Sequence, residues 1–192
     1  MTEQIILASG SPRRRELLNQ IGVTYRVHAV DIDETALPDE PPDVYGQRIA
    51  AEKSACCVKQ FKSTLPVLAA DTSVVLNGAI MGKPKDAADA EAMLMALSGR
   101  THQVYTAVSL RNRCQHYEVL SVTDVCFKPL TKAEVRAYWH SGEPVDKAGA
   151  YAIQGLGSVF IQSLSGSYSG VMGLPLFETA ALLQQQGIKI IQ

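Results

Sequence analysis

Short apolar runs of strand length alternate with helix-forming stretches along this chain, and one long pair of β-runs sits in the middle. That order restricts the fold more than any other feature. QIILAS (4–9) reads as a buried strand. Ser11 is then a good N-cap and Pro12 a good first helical residue; Leu17, Leu18 and Ile21 form a core-facing stripe, and Gly22 ends the helix. VTYRVHAV (23–30) alternates like a second strand. An acidic, proline-rich loop, DIDETALPDEPPD, leads to a long helix predicted from about Val44 to Phe61, with Val44, Ile49, Cys56 and Phe61 on its inner face. PVLAADTSVVL (66–76) is a buried strand, and Asn77-Gly78 turns it back through Ile80 and Met81. A helix spans Ala87 to Leu97, and HQVYTAVSL and HYEVLSVTDVCF pair as a hairpin around RNRCQ. Beyond a helix at 131–140 come the Gly-rich KAGAYAIQGLG, a strand SVFIQSL, a helix from Pro175 to about Gln186 and a strand IKII. The prediction is an α/β fold: a mixed twisted sheet flanked by helices, in one domain over 1–192.

Charge excludes some function classes. The net charge of −1 gives no electrostatic footprint for nucleic acid or a membrane surface. The N-terminal apolar run is too short to span a bilayer and lacks the basic start of a signal peptide, so a cytoplasmic protein is expected. Cys56, Cys57, Cys114 and Cys126 form no Cys-x-x-Cys or Cys/His cluster, which argues against structural zinc. The adjacent Cys56 and Cys57 read as helix packing.

Two motifs are decoys. DIDET (31–35) resembles the nucleophile signature of haloacid-dehalogenase-type phosphatases, but the late acidic pair those enzymes need is missing: after Lys147 the only carboxylate side chain is Glu178. GAIMGKP (78–84) is one residue short of a phosphate-binding P-loop and has Pro where Ser or Thr should bind magnesium. Lys83 is still a well-placed point charge between Gly82 and Pro84.

Three other features carry more. Asp71 interrupts an apolar strand, and an unpaired buried carboxylate is costly. Either a cation or hydrogen bonds stabilise it, or the strand opens onto a site there. Lys53 lies on or beside the inner face of the long helix, where it either snorkels outward or points at an anion. In SGSPRRRELL, arginines crowd a helix N-terminus, repelling each other and the dipole. The free amides there bind anions, and phosphate would offset both penalties; Arg13 and Arg14 fit this reading, and Arg15 reads as surface. Together these features point to a polyphosphate site.

The segments LASGSPRRRELL (7–18), DIDE (31–34), AAEKS (50–54), AADT around Asp71, GKP (82–84), LSGRTHQVYTAV (97–108), DKAGAYAIQGLG (146–157) and GLPL (173–176) together closely resemble the Maf family of nucleoside triphosphate pyrophosphatases. The resemblance spans nearly the whole chain. It implies an inosine-triphosphate-pyrophosphatase-like fold, two lobes with a central cleft, a divalent cation (Mg²⁺ or Mn²⁺) and often a homodimer. Carried over by position, it implies Asp71 as proton acceptor, Glu34 as a carboxylate that helps hold the metal, and Arg13, Lys53 and Lys83 as phosphate contacts with Ser9 at the loop entrance of the phosphate site. Asp71 either deprotonates the water or holds the metal that activates it, and Arg14 joins the phosphate contacts from its place on the helix N-terminus.

Arg13, Thr72 and Gln154 match the branch of that family acting on dTTP and UTP. A side-chain amide such as Gln154 both donates and accepts, which suits the carbonyl and N–H edge of uracil or thymine. The implied reaction is water attack at the α-phosphorus with pyrophosphate leaving. Two alternatives stand beside it: 7-methyl-GTP as substrate, or a regulator of cell division that binds nucleotide without hydrolysing it.

Overall fold

The computed structural model describes residues 2–61 and 64–191. Strand β1 (Ile5–Leu7) is fully buried and feeds α1 (Pro12–Gln20), with Ser11 as N-cap. Next come β2 (Tyr25–Val27), α2 (Pro42–Gln60), β3 (Val67–Leu76), β4 (Ala79–Met81) and α3 (Ala87–Leu97). The hairpin β5 (Thr101–Arg111) and β6 (His116–Phe127) follows, then α4 (Lys132–His140), whose N-terminus carries a capping box between Thr131 and Glu134. Two 3₁₀ turns, Ala148–Ala150 and Leu156–Phe160, precede β7 (Ile161–Ser165), α5 (Tyr168–Met172) and α6 (Leu176–Gln185). Among the described residues no helix is long and apolar enough to cross a membrane.

The strands form one mixed sheet in the order β2-β1-β3-β5-β6-β7. β1 runs parallel to β2 and β3, and β3, β5, β6 and β7 are successively antiparallel. β3 pairs with β5 along nearly its whole length, but its other edge is shared. β1 takes Val67 and Leu68, and β4 takes Val74, Val75 and Leu76. Between them the sheet splits, and Asp71 sits at the split.

The core divides in the same way. One cluster gathers Leu94 and Leu97 of α3, Val135 and Tyr138 of α4, Phe127 and Phe160. A second gathers Ile5, Leu17, Leu18, Leu68, Leu110 and Leu183, and a third, smaller one gathers Ile6, Ala8, Cys57, Val67 and Ala69. α2 lies across the split. Its buried face is Gly46, Ile49, Ala50, Lys53, Ser54 and Cys57, at helical spacing. This corrects the predicted stripe: Val44 is 48% exposed and Cys56 half-buried. The true face is built from small and polar residues, so hydropathy alone misplaces it. Gly46 is where α2 comes closest to the sheet, since a Cβ there would stand 3.7 Å from that of Ala107. Cys57 packs as expected, its thiol pushed up to about 11 by burial and then by Cys56.

Three predicted strands change. The second shortens to Tyr25–Val27. SVFIQSL begins as a 3₁₀ turn before it pairs with β6. IKII (188–191) is not a strand: Ile188 and Ile190 lean on the second core cluster without joining the ladder. Alternating apolar side chains can satisfy packing without strand pairing.

Candidate active site

The split in the sheet opens a cavity of about 560 Å³, within the range of small-molecule sites. Five basic side chains (Arg13, Arg14, Lys53, Lys83, Lys147) and three carboxylates (Glu34, Asp71, Asp146) line it. At its floor Lys53 Nζ stands 3.0 Å from Asp71 Oδ1 and 2.8 Å from Glu34 Oε1. The other Asp71 oxygen accepts from Ser73 at 3.4 Å. Asp71 is 7% exposed and Lys53 9% exposed, so the cation that the strand's buried carboxylate requires comes from the buried face of α2.

Glu34 arrives from the acidic loop, which α2 also anchors. Tyr45 donates to the Glu34 carbonyl at 2.9 Å. Arg48 forks onto Glu40 at 2.6 and 2.7 Å and donates to Thr35 O at 3.1 Å. That fork holds the Glu40 carboxyl down at about 2. Asp31 and Asp33 do not line the cavity; Asp33 instead accepts from the Thr35 amide in a local turn.

The three arginines of α1 separate. Arg14 spends its donors on the protein: Nε on Gly173 O (2.8 Å), Nη1 on Ser9 Oγ (3.0 Å) and Nη2 on Thr72 Oγ1 (3.3 Å). Ser9 Oγ also accepts from the Ser11 amide, and Thr72 Oγ1 lies 3.1 Å from the Thr106 hydroxyl. Arg14, Ser9 and Thr72 are therefore bonded to one another at the cavity wall. Arg13 and Lys83 line the same cavity without a hydrogen bond or close ion pair among the described residues. Arg15 is exposed.

The sequence profile described as Maf-like protein matches residues 4–186. The chain belongs to the Maf family. Its Maf relatives match along nearly their whole lengths. A protein of Methylococcus capsulatus named dTTP/UTP pyrophosphatase is 53% identical over 185 residues, covering 96% of this chain and 92% of that one. One of the same name from Escherichia coli O157:H7 is 51% identical over 179 residues, covering 93% and 91%. Another, from Pasteurella multocida, is 49% identical over 195 residues, covering 97% and 98%.

All nine residues singled out in the sequence line this one cavity of the Maf chain: Ser9, Arg13, Arg14, Glu34, Lys53, Asp71, Thr72, Lys83 and Gln154. Lys147 lines it as well, and nothing in the sequence sets this lysine apart from the rest of its Gly-rich segment. Burial, and then its neighbour Arg13, hold its ammonium below the ordinary value. Cations crowded in this way favour an arriving anion. The Lys147 segment is fixed to the Lys83 loop by Gly149, whose amide donates to Gly82 O at 3.0 Å. Gly149 has φ +66, and a Cβ there would press into Val74, so two constraints favour glycine.

Tyr151, another cavity residue, is held from behind by His102, with Nε2 2.8 Å from the tyrosine hydroxyl. His102 is 2% exposed, and burial pushes its imidazole down from 6.5 to about 4. The unfolded chain thus binds this proton near 6.5 and the folded chain only near 4, so stability falls as pH drops through that window. The loss reaches about 3 kcal/mol from this group alone. Replacing His102 with Gln, which can still meet Tyr151, is expected to flatten the melting temperature between pH 6.5 and 4 relative to the parent protein.

A Ser–His pair invisible in the sequence occurs elsewhere: Ser109 Oγ is 2.8 Å from His116 Nε2. It is not a nucleophile site. Glu118 meets that same nitrogen at 3.0 Å, Arg111 meets Nδ1, and Ser109 is fully buried.

Proposed function

We propose that this chain is a nucleoside triphosphate pyrophosphatase that hydrolyses dTTP and UTP, with modified forms such as 5-methyl-UTP and pseudo-UTP within reach, to the monophosphate and pyrophosphate. The relatives' printed names support the substrate. The observation that carries the chemistry is the convergence of Asp71 and Glu34 on one buried ammonium, in a cavity where Arg13 and Lys83 make no hydrogen bond or close ion pair among the described residues.

The carboxylates fit a divalent cation. Both flank the Lys53 ammonium, both offer hard oxygen donors, and the Asp71 oxygen turned away from Lys53 is only weakly engaged. Two carboxylates at the floor of a triphosphate site suit Mg²⁺ or Mn²⁺, which one or two carboxylates hold together with substrate phosphates. Such an ion supplies charge neutralisation at phosphate oxygens and a more acidic water.

In this reading Arg13, Lys83 and Lys147 hold the triphosphate. Lys53 keeps Asp71 and Glu34 aligned and faces the phosphates when they arrive. Asp71 takes the proton of the attacking water as its oxygen bonds to the α-phosphorus. The bond from that phosphorus to the bridging oxygen breaks, and pyrophosphate leaves with its charge met by the basic side chains. Gln154 reads the base edge. Arg14 and Thr72 shape the wall beneath it, so Thr72 affects specificity through that network. Work in the cytoplasm as a homodimer is part of the proposal; the location rests on the character of the N-terminal apolar run and the homodimer on the family resemblance.

The test is pyrophosphate release from dTTP, UTP, CTP, GTP and 7-methyl-GTP with Mg²⁺ or Mn²⁺. Preference for dTTP and UTP is expected. Preference for 7-methyl-GTP overturns the substrate, and dTTP binding without hydrolysis of any nucleotide overturns the enzyme in favour of a regulator. Arg13→Ala and Lys83→Ala are each expected to lower kcat/KM for UTP by about 10–100-fold, the worth of a charged hydrogen bond. Their melting temperatures should stay close to the parent's, because neither side chain makes a hydrogen bond or close ion pair among the described residues.

A further inference from the structure

The loop carrying Gln154 is clamped from behind by two side chains that do not line the cavity. Glu143 Oε2 accepts from the Leu156 amide at 2.8 Å, and its Oε1 accepts from the Gly157 amide at 2.9 Å and from the Tyr138 hydroxyl at 2.7 Å. Tyr138 Oη in turn accepts from the Ala152 amide at 3.1 Å. Three amides flanking Gln154 are thus tied to one carboxylate–phenol pair. Tyr138 is itself rigid: it is 4% exposed in the core and packs edge-on to Phe160.

The glycines of the loop fit the same purpose. A Cβ on Gly155 would collide with the Glu143 carboxylate, and one on Gly157 would come within 2.7 Å of Tyr138 Oη. Burial alone would raise the Glu143 pKa, but the two amides and the phenol outweigh it and hold the group below its ordinary value as a carboxylate. Gln154 is exposed and its side chain makes no hydrogen bond among the described residues. The backbone therefore sets where its Cα–Cβ bond starts and which space its amide can reach, and contact with the base selects the rotamer.

We propose that Glu143 and Tyr138 are positioning residues for base selection: they fix the 152–157 backbone so that the Gln154 side chain starts from the one place from which its amide reaches the base edge. This rests on reading Gln154 as the base-contacting residue of a dTTP/UTP pyrophosphatase. A primary amide offers a donor on one side and an acceptor on the other. A tilt of the loop misplaces both, and discrimination then falls while phosphate binding persists.

The experiment compares Glu143→Ala, Glu143→Gln and the milder Tyr138→Phe. UTP and CTP are the substrates, since they differ at the pyrimidine edge, and inorganic tripolyphosphate is a ligand with no base. The UTP-over-CTP ratio of kcat/KM is expected to fall about tenfold or more in Glu143→Ala, the scale of one lost hydrogen-bond discrimination. The change should lie mainly in KM. Glu143→Gln, which can keep the Oε1 acceptor, should lose less. Tripolyphosphate affinity should not fall in any folded variant; loss of the Glu143 charge near Arg13 and Lys147 leaves it equal or higher. An unchanged ratio in folded Glu143→Ala and Tyr138→Phe overturns the proposal, as does a parallel loss of tripolyphosphate affinity. If the parent protein hydrolyses neither nucleotide, the pyrophosphatase reading falls separately, and the ratio is read from competitive binding of UMP and CMP. No preference in the parent, or one retained in the variants, then overturns the clamp.

Discussion

Replacing Asp71 with Asn should reduce kcat for UTP by about 10²–10⁴-fold, the usual worth of a positioned general base, and leave the fold in place. Asn keeps an oxygen where Lys53 now finds Asp71 Oδ1, and the Lys53–Glu34 contact does not involve the changed group. UTP should therefore still bind, with KM changed little. A fall well beyond 10⁴-fold, together with weaker Mn²⁺ binding measured by electron paramagnetic resonance, would assign Asp71 a metal-holding role as well. Retention of more than about a tenth of the parent rate would remove Asp71 from the chemistry altogether.

Arg14→Ala should be costly in a different way. The guanidinium joins α1 to the carbonyl of Gly173, at the end of α5, and to Ser9 and Thr72 in the cavity wall. Its removal leaves those acceptors facing a void. A loss of about 3 kcal/mol follows from charged hydrogen bonds of this type. For a chain of this size that lowers the melting temperature by roughly 6–12 °C. Arg14→Lys should recover little, because an ammonium cannot reproduce a three-way planar fork. The contrast with Arg13→Ala is the check. Two neighbouring arginines should separate, one lowering the melting temperature and the other lowering kcat/KM. If instead Arg14→Ala melts like the parent protein, the cross-link is not a stabilising one.

Much of this was legible in the chain. Ser11-Pro12 marked the start of α1, the Asn77-Gly78 turn marked the return of β3 into β4, and the paired β-runs around RNRCQ formed the hairpin. Asp71 stood out because a carboxylate in an apolar strand demands a partner. Other features were not legible. The buried face of α2 was misread because Gly46, Lys53 and Ser54 are not apolar. IKII carried the alternation of a strand but gained no neighbour to pair with. In the sequence Lys147 is any basic residue beside a carboxylate; only the fold brings Arg13 and Lys83 around it.

By itself the sequence determined the α/β class, most of the helices and strands, the family and nine of the residues that line one cavity. Those features are written in local periodicity, capping and ordered motifs. Tertiary structure alone decided how the residues divide the work. Lys53 meets a carboxylate 18 positions away, Arg14 a carbonyl 159 positions away, and Glu143 the amides of a loop that turns back on it. A charged side chain in a sequence declares what it can bind. Which partner it finds depends on where the sheet splits and which distant backbone the packing brings within 3 Å, and no local pattern encodes that distance.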